Sequence, residues 1–136
     1  MRQTRMGIAL LLLSVVIPAW SAGAARLSPE GFALVDGEPR LLIGSYHLPD
    51  DDAFLARLAG NGFNFVRGTL DRPVLDRIRA AGMYAWIPLG GALALTEGDT
   101  DSAARLRQMI EEYKDHPALI TWEGPDEALW MQWYSA

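Results

Sequence analysis

Apolar and polar positions along this chain switch between a two-residue and a helical period. Phe32-Ala-Leu-Val35 and Arg40-Leu-Leu-Ile43 flank Asp36-Gly37-Glu38-Pro39, a hairpin pattern with Asp-Gly at its turn. The second arm runs on to His47 and stops at Pro49, so a first core strand is expected over about residues 41–47. Asp50, Asp51 and Asp52 follow. They lack the D-x-D-x-D-G spacing and distal Glu of a calcium loop, and read as an N-cap and acidic first turn for a helix carrying Phe54, Leu55 and Leu58.

The next two segments repeat at an offset of twenty residues. Leu55-x-Arg57-Leu58 followed by Gly62-Phe63 returns as Leu75-x-Arg77-Ile78 followed by Gly82-Met83. Each copy is a helix with apolar residues three apart, a closing glycine and an apolar strand, Phe63–Arg67 in the first and Met83–Pro88 in the second. A longer loop through Thr96–Asp99 leads to a third helix, capped by Asp99 or Asp101. Its face is Leu106, Met109, Ile110 and Tyr113, and it ends before Pro117. A fourth strand over Ala118–Trp122 completes a hairpin followed by βαβαβαβ. Strands joined through helices run parallel with right-handed crossovers, giving a parallel sheet covered by helices. No G-x-G-x-x-G follows the first strand and no G-x-x-x-x-G-K-[ST] occurs, so a barrel is favoured over an open nucleotide-binding sheet.

Composition narrows the function. Of 136 residues half are apolar, enough for one modest core. A net charge of -5 and a pI near 4.9 argue against nucleic acid or an anionic membrane as partner. With no cysteine, there is neither a disulfide framework nor a thiolate site. Arg2 and Arg5, the apolar run Gly7–Ile17, Pro18 and then Ala22-Gly23-Ala24 have the form of a secretory signal peptide cut near Ala24. The alternative, a membrane anchor, is disfavoured because the run falls short of the ~20 residues a span needs. Residues 1–24 are therefore expected to be a leader with no stable membrane span after cleavage, and the mature chain, residues 25–136, to be secreted or periplasmic.

Candidate chemistry gathers at the expected strand ends: His47 after the first, Arg67 at the second, Trp86 in the third, and Trp122, Asp126 and Glu127 at or after the fourth. In a β/α barrel these ends share one mouth. Each residue has a second reading. Asp126 and Glu127 also suit the start of a helix at Ala128–Trp130, and Arg67 also suits an ion pair with Asp71 or Asp76. His47 also suits a hydrogen-bonding role; the H-x-H of a barrel metallohydrolase is absent. Trp86, Trp122, Trp130 and Trp133 also suit a core as well as a sugar-stacking wall.

Two motifs resemble a known family. Gly62-Phe-Asn-Phe-Val-Arg67 is similar to the G-x-N-x-V-R of the second strand in clan A glycoside hydrolases. His116-Pro-Ala-Leu-Ile-Thr-Trp122, with Asp126-Glu127 beyond it, is similar to their H-P-x-I-x-x-W-x-x-x-N-E at the fourth strand. The resemblance spans about residues 34–130 and includes the hairpin before the first strand. It implies a partial (β/α)8 TIM barrel of about four βα units, the N-terminal half of a retaining glycoside hydrolase that acts on a carbohydrate substrate without a cofactor. Glu127 would be the acid/base, Arg67 would hold the nucleophile carboxylate, and Asp126 would stand where the family has Asn, which donates to a sugar hydroxyl. The nucleophile would lie on a seventh strand, so this chain is expected to be a fragment lacking the C-terminal half and inactive alone. Asp126 favours a non-catalytic carbohydrate-binding or scaffold barrel as the alternative; a third reading places the acid at Glu123.

Overall fold

The Asp36-Gly37 pair turns the chain as the pattern predicts, but the second arm is Glu38–Pro39, within the expected turn, rather than Arg40–Ile43, because the two-residue turn closes at Gly37. Asp36 and Gly37 both have positive φ, 54° and 85°, the combination that a two-residue turn matching strand twist demands. The computed structural model describes residues 25–125. The turn joins β2 (Ala33–Val35) to β3 (Glu38–Pro39), and β1 (Ala25–Leu27) adds to β2 on its other side, giving a three-stranded antiparallel sheet. Strand β1 carries no pattern that would have announced it, being three exposed residues long.

The remaining strands form a second sheet, parallel throughout. Its order β4 (Gly44–Ser45), β5 (Phe65–Arg67), β6 (Tyr84–Pro88), β7 (Leu119–Glu123) is the order of the sequence. Helices α1 (Asp52–Gly60), α2 (Arg72–Ala80) and α3 (Thr100–Tyr113) make the crossovers, with a short 3₁₀ turn at Gly90–Leu93 after β6. The chain is thus a mixed α/β fold with one parallel and one antiparallel sheet.

Strand β4 is much shorter than the expected 41–47. The side chain of Asn64 takes the place of a longer ladder: its Nδ2 donates to the Leu41 carbonyl at 2.8 Å and its Oδ1 accepts from Ile43 N–H at 2.9 Å. Beyond Ser45 the chain bends, because Ser45 Oγ bonds both the carbonyl and the N–H of His47. The backbone polar groups of 41–47 are therefore partly satisfied by side chains, which releases the segment from strand geometry.

The two repeats fold alike. Gly62 and Gly82 end α1 and α2 with φ of 91° and 76°, which a side chain would strain. Leu55, Leu75 and Ile78 from the helices meet Val66, Ala85, Ile87 and Leu119 from the sheet in one core. Helix α1 starts at Asp51, whose carboxylate accepts from Ala53 N–H at 2.8 Å, with Asp52 in the first turn, so the aspartate run serves the helix as expected. Strand β6 is buried on both faces from Tyr84 to Ile87, which explains its nearly unbroken apolar sequence.

Helix α3 differs from its siblings. Asp99 caps it, accepting from Ser102 N–H at 2.9 Å, and hydrogen bonding from Ser102, its side chain first and its backbone second, holds the Asp99 carboxyl below its ordinary value. The stripe Leu106, Met109, Ile110 and Tyr113 is only half-buried, and no residue of α3 is fully buried. Tyr113 binds α3 to the loop before α2 by donating to the Leu70 carbonyl at 3.1 Å, while Arg72 lies over its ring.

Candidate functional site

Side chains alternate across the parallel sheet, so one face enters the helix-covered core and the other presents a separate set. Register places Arg67 beside Trp86, Trp86 beside Thr121, and Pro88 beside Glu123. Trp86, 7% exposed, is the hub of that second face. Its ring packs on Phe65 at 4.6 Å between centroids and meets Tyr46 edge-on at 5.4 Å and 82°. It also lies directly over Gly44, where a Cβ would come within 3.1 Å of Trp86 Cζ3. Glycine at the start of β4 is what lets the indole lie flat against the strand.

The indole has a polar purpose too. Trp86 Nε1–H donates to Glu123 Oε2 at 3.1 Å, and the Tyr46 hydroxyl donates to Oε1 at 3.4 Å. Each carboxylate oxygen of Glu123 thus has one donor, and its main-chain carbonyl accepts from Leu89 N–H at 3.0 Å. Three strand ends, β4, β6 and β7, are tied together through this residue.

Beside this cluster a cleft of about 480 Å³ opens over the C-terminal end of β5, lined by Tyr46, His47, Arg67, Thr69, Leu70 and Pro88. His47 and Arg67 are exposed there. Among the described residues Arg67 makes no ion pair: Asp76 instead contacts His116 at 3.2 Å, and Asp71 sits at the N-cap of α2. The His47 ring likewise has no hydrogen bond among the described residues; only its backbone is engaged, by Ser45. Gly68 holds this rim close to β6, since a Cβ there would be 3.1 Å from that of Ala85. The site therefore combines a guanidinium donor, an imidazole, an aromatic wall and a carboxylate whose two oxygens each have one donor.

Three of the residues singled out in the sequence, His47, Arg67 and Trp86, converge here. Trp122 does not join them. It pairs with Ile87 and packs against the core, on the face opposite Trp86. Asp126 and Glu127, with Trp130 and Trp133, lie outside the described residues. Tyr46 joins His47, Arg67 and Trp86 as well, and the aromatic residue beside His47 at a strand end is the sequence signal for it. Glu123, the third choice for an acid, proves to be the carboxylate that organises the described strand ends.

The opposite end of the sheet carries polar groups of a different kind. The Tyr84 hydroxyl donates to Asp36 Oδ2 at 2.9 Å, Arg79 approaches that carboxylate at 3.9 Å and covers the Tyr84 ring, so the hairpin turn is fastened to β6 and α2. His116, 5% exposed, accepts Ala118 N–H at Nδ1, which places its proton on Nε2 facing Asp76. These groups join elements of the fold. Among the described residues no cluster of three or more His, Cys, Asp or Glu could hold a metal, and no helix is long and apolar enough to cross a membrane. No protein-family model, curated protein or solved structure matches the chain.

Proposed function

We propose that this chain is the first half of an exported carbohydrate-active (β/α)8 barrel, a retaining glycoside hydrolase with Glu127 as acid/base. The observation that carries the reading is the convergence of Tyr46, His47, Arg67, Trp86 and Glu123 at the C-terminal ends of consecutive parallel strands, where barrel enzymes build their sites. Two further features support it. A sheet whose spatial order follows its sequence order winds in one direction, as a barrel does, whereas doubly wound sheets reverse at a switch point. The half-buried stripe of α3 is the surface that a following βα unit would cover.

In this reading Glu127, four residues beyond Glu123, protonates the leaving oxygen and then deprotonates water. A second carboxylate ~5 Å away, on a later strand, attacks the anomeric carbon. Arg67 holds that nucleophile ionised through charge-assisted hydrogen bonds, which fits an arginine that has no ion pair among the described residues. Asp126 in place of the family's Asn is the specific observation favouring the second reading, a barrel that binds sugar without hydrolysing it, since an ionised carboxylate does not donate to a hydroxyl.

A panel of aryl glycosides tests the proposal on two proteins, the chain itself and the product of the reading frame extended through any downstream codons. The extended protein is expected to release aryl alcohol from at least one substrate, and Glu127→Gln to lower that rate by ~10²–10⁴-fold. The chain alone is expected to release none. Binding without turnover by the extended protein would select the second reading.

A further inference from the structure

Glu123 has more hydrogen-bonding capacity than the described residues use. An ionised carboxylate offers about four lone-pair directions and accepts only. Among the described residues two are taken, by Trp86 Nε1–H and the Tyr46 hydroxyl, one on each oxygen. Glu123 is half-buried at the end of β7, and its register partner Pro88 lines the cleft. No lysine or arginine pairs with it among the described residues. The donors that fix it come from an indole 7% exposed and from a tyrosine on the cleft wall, so the carboxylate cannot swing away without breaking both bonds.

We propose that Glu123 is the recognition carboxylate of a saccharide subsite, accepting two neighbouring hydroxyls of one sugar ring, one on each oxygen. The two oxygens of a carboxylate lie at a spacing that adjacent ring hydroxyls can meet together, and each oxygen has one protein donor among the described residues, leaving acceptor capacity on both. A vicinal diol is therefore the ligand chemistry, on a neutral sugar: a substrate carboxylate or phosphate would be repelled by Glu123. The inference rests on the carbohydrate reading and deepens it. Glu123 is a substrate-positioning residue, distinct from the acid/base Glu127.

The test uses the full chain and tetrasaccharides of glucose, mannose, xylose and galactose, with affinity read by titration calorimetry. For a saccharide that binds, analogues lacking one hydroxyl of a vicinal pair on the recognised ring are compared with the parent, in the wild type and in Glu123→Gln. The substitution is expected to weaken the parent at least tenfold. Deleting the hydroxyl is expected to cost the wild type a similar factor and Glu123→Gln much less, a coupling that loss of packing alone would not produce. Should Glu123→Gln fail to fold, the wild-type Trp86 indole N–H resonance gives the same answer: it shifts with the parent sugar and not with the analogue. Equal affinity of wild type and Glu123→Gln, equal hydroxyl dependence in both, or an indole resonance indifferent to the hydroxyl overturns this inference and leaves the carbohydrate reading standing. Absence of saccharide binding by both the chain and the extended protein overturns both.

Discussion

Replacing Trp86 by Phe isolates the bond that organises the strand ends. The substitution keeps a six-membered ring to stack on Phe65 but deletes Nε1–H, one of the two donors to Glu123. A hydrogen bond to a charged acceptor contributes ~1.5–3 kcal/mol, and Glu123 is only half-buried, so water recovers part and the lower end applies. The smaller ring also leaves space over Gly44, where the indole carbon Cζ3 now fills the contact. Together these give a loss of about 2–4 kcal/mol. For a domain near 100 residues each kcal/mol moves Tm by ~4–8 °C, so a fall of about 8–32 °C is expected in thermal melts followed by far-UV circular dichroism. Trp122→Phe is the control, because Trp122 has only apolar packing and no indole hydrogen bond among the described residues. Its expected loss is smaller, ~1–2 kcal/mol. If the two substitutions cost the same within ~0.5 kcal/mol, the Trp86–Glu123 bond contributes nothing and the reasoning is refuted.

Other substitutions probe the frame. His116→Ala strands the Ala118 N–H in the core and should cost ~1–3 kcal/mol in urea unfolding, most of it regained by His116→Asn, whose side-chain oxygen can accept the same N–H. Gly62→Ala and Gly82→Ala should each cost about 1–2 kcal/mol, since both force a side chain to positive φ; a neutral result at either would mean that the helix ends differently there. Asp99 has a lowered carboxyl pKa in the folded chain, so its cap is fully present above the ordinary value of 3.8 and is lost as pH falls through the lower folded value. Helix content of the wild type should therefore fall as pH drops below 3.8, and Asp99→Ala should lack the acid-dependent part contributed by α3.

The repeated units were legible because each rests on local chemistry: apolar spacing for the helix, glycine at positive φ for its end, an apolar run for the strand. Asp-Gly likewise specified its turn, since few other pairs accept positive φ twice. The first core strand was overestimated because Leu41–His47 has strand composition, while the groups that release it from the ladder, Asn64 and Ser45, act through side chains that periodicity does not read. Trp86 and Trp122 look alike in sequence. Only the register between β6 and β7, which slips at Ala85/Trp86, sets the first against Tyr46 and Glu123 and packs the second against the core. Glu123 stood out less than the Asp126-Glu127 pair because its importance comes from Tyr46 and Trp86, 77 and 37 residues away in sequence.

The central claim is that the C-terminal ends of the parallel strands form a saccharide site. Backbone and indole chemical shifts, followed as a bound tetrasaccharide is titrated into the labelled chain, test it most directly. The account predicts perturbations concentrated at Tyr46, His47, Arg67, Glu123 and the Trp86 indole, with Asp36, Arg79 and Tyr84 at the opposite end unmoved. Perturbations centred on that opposite end, or spread evenly over the chain, would contradict it.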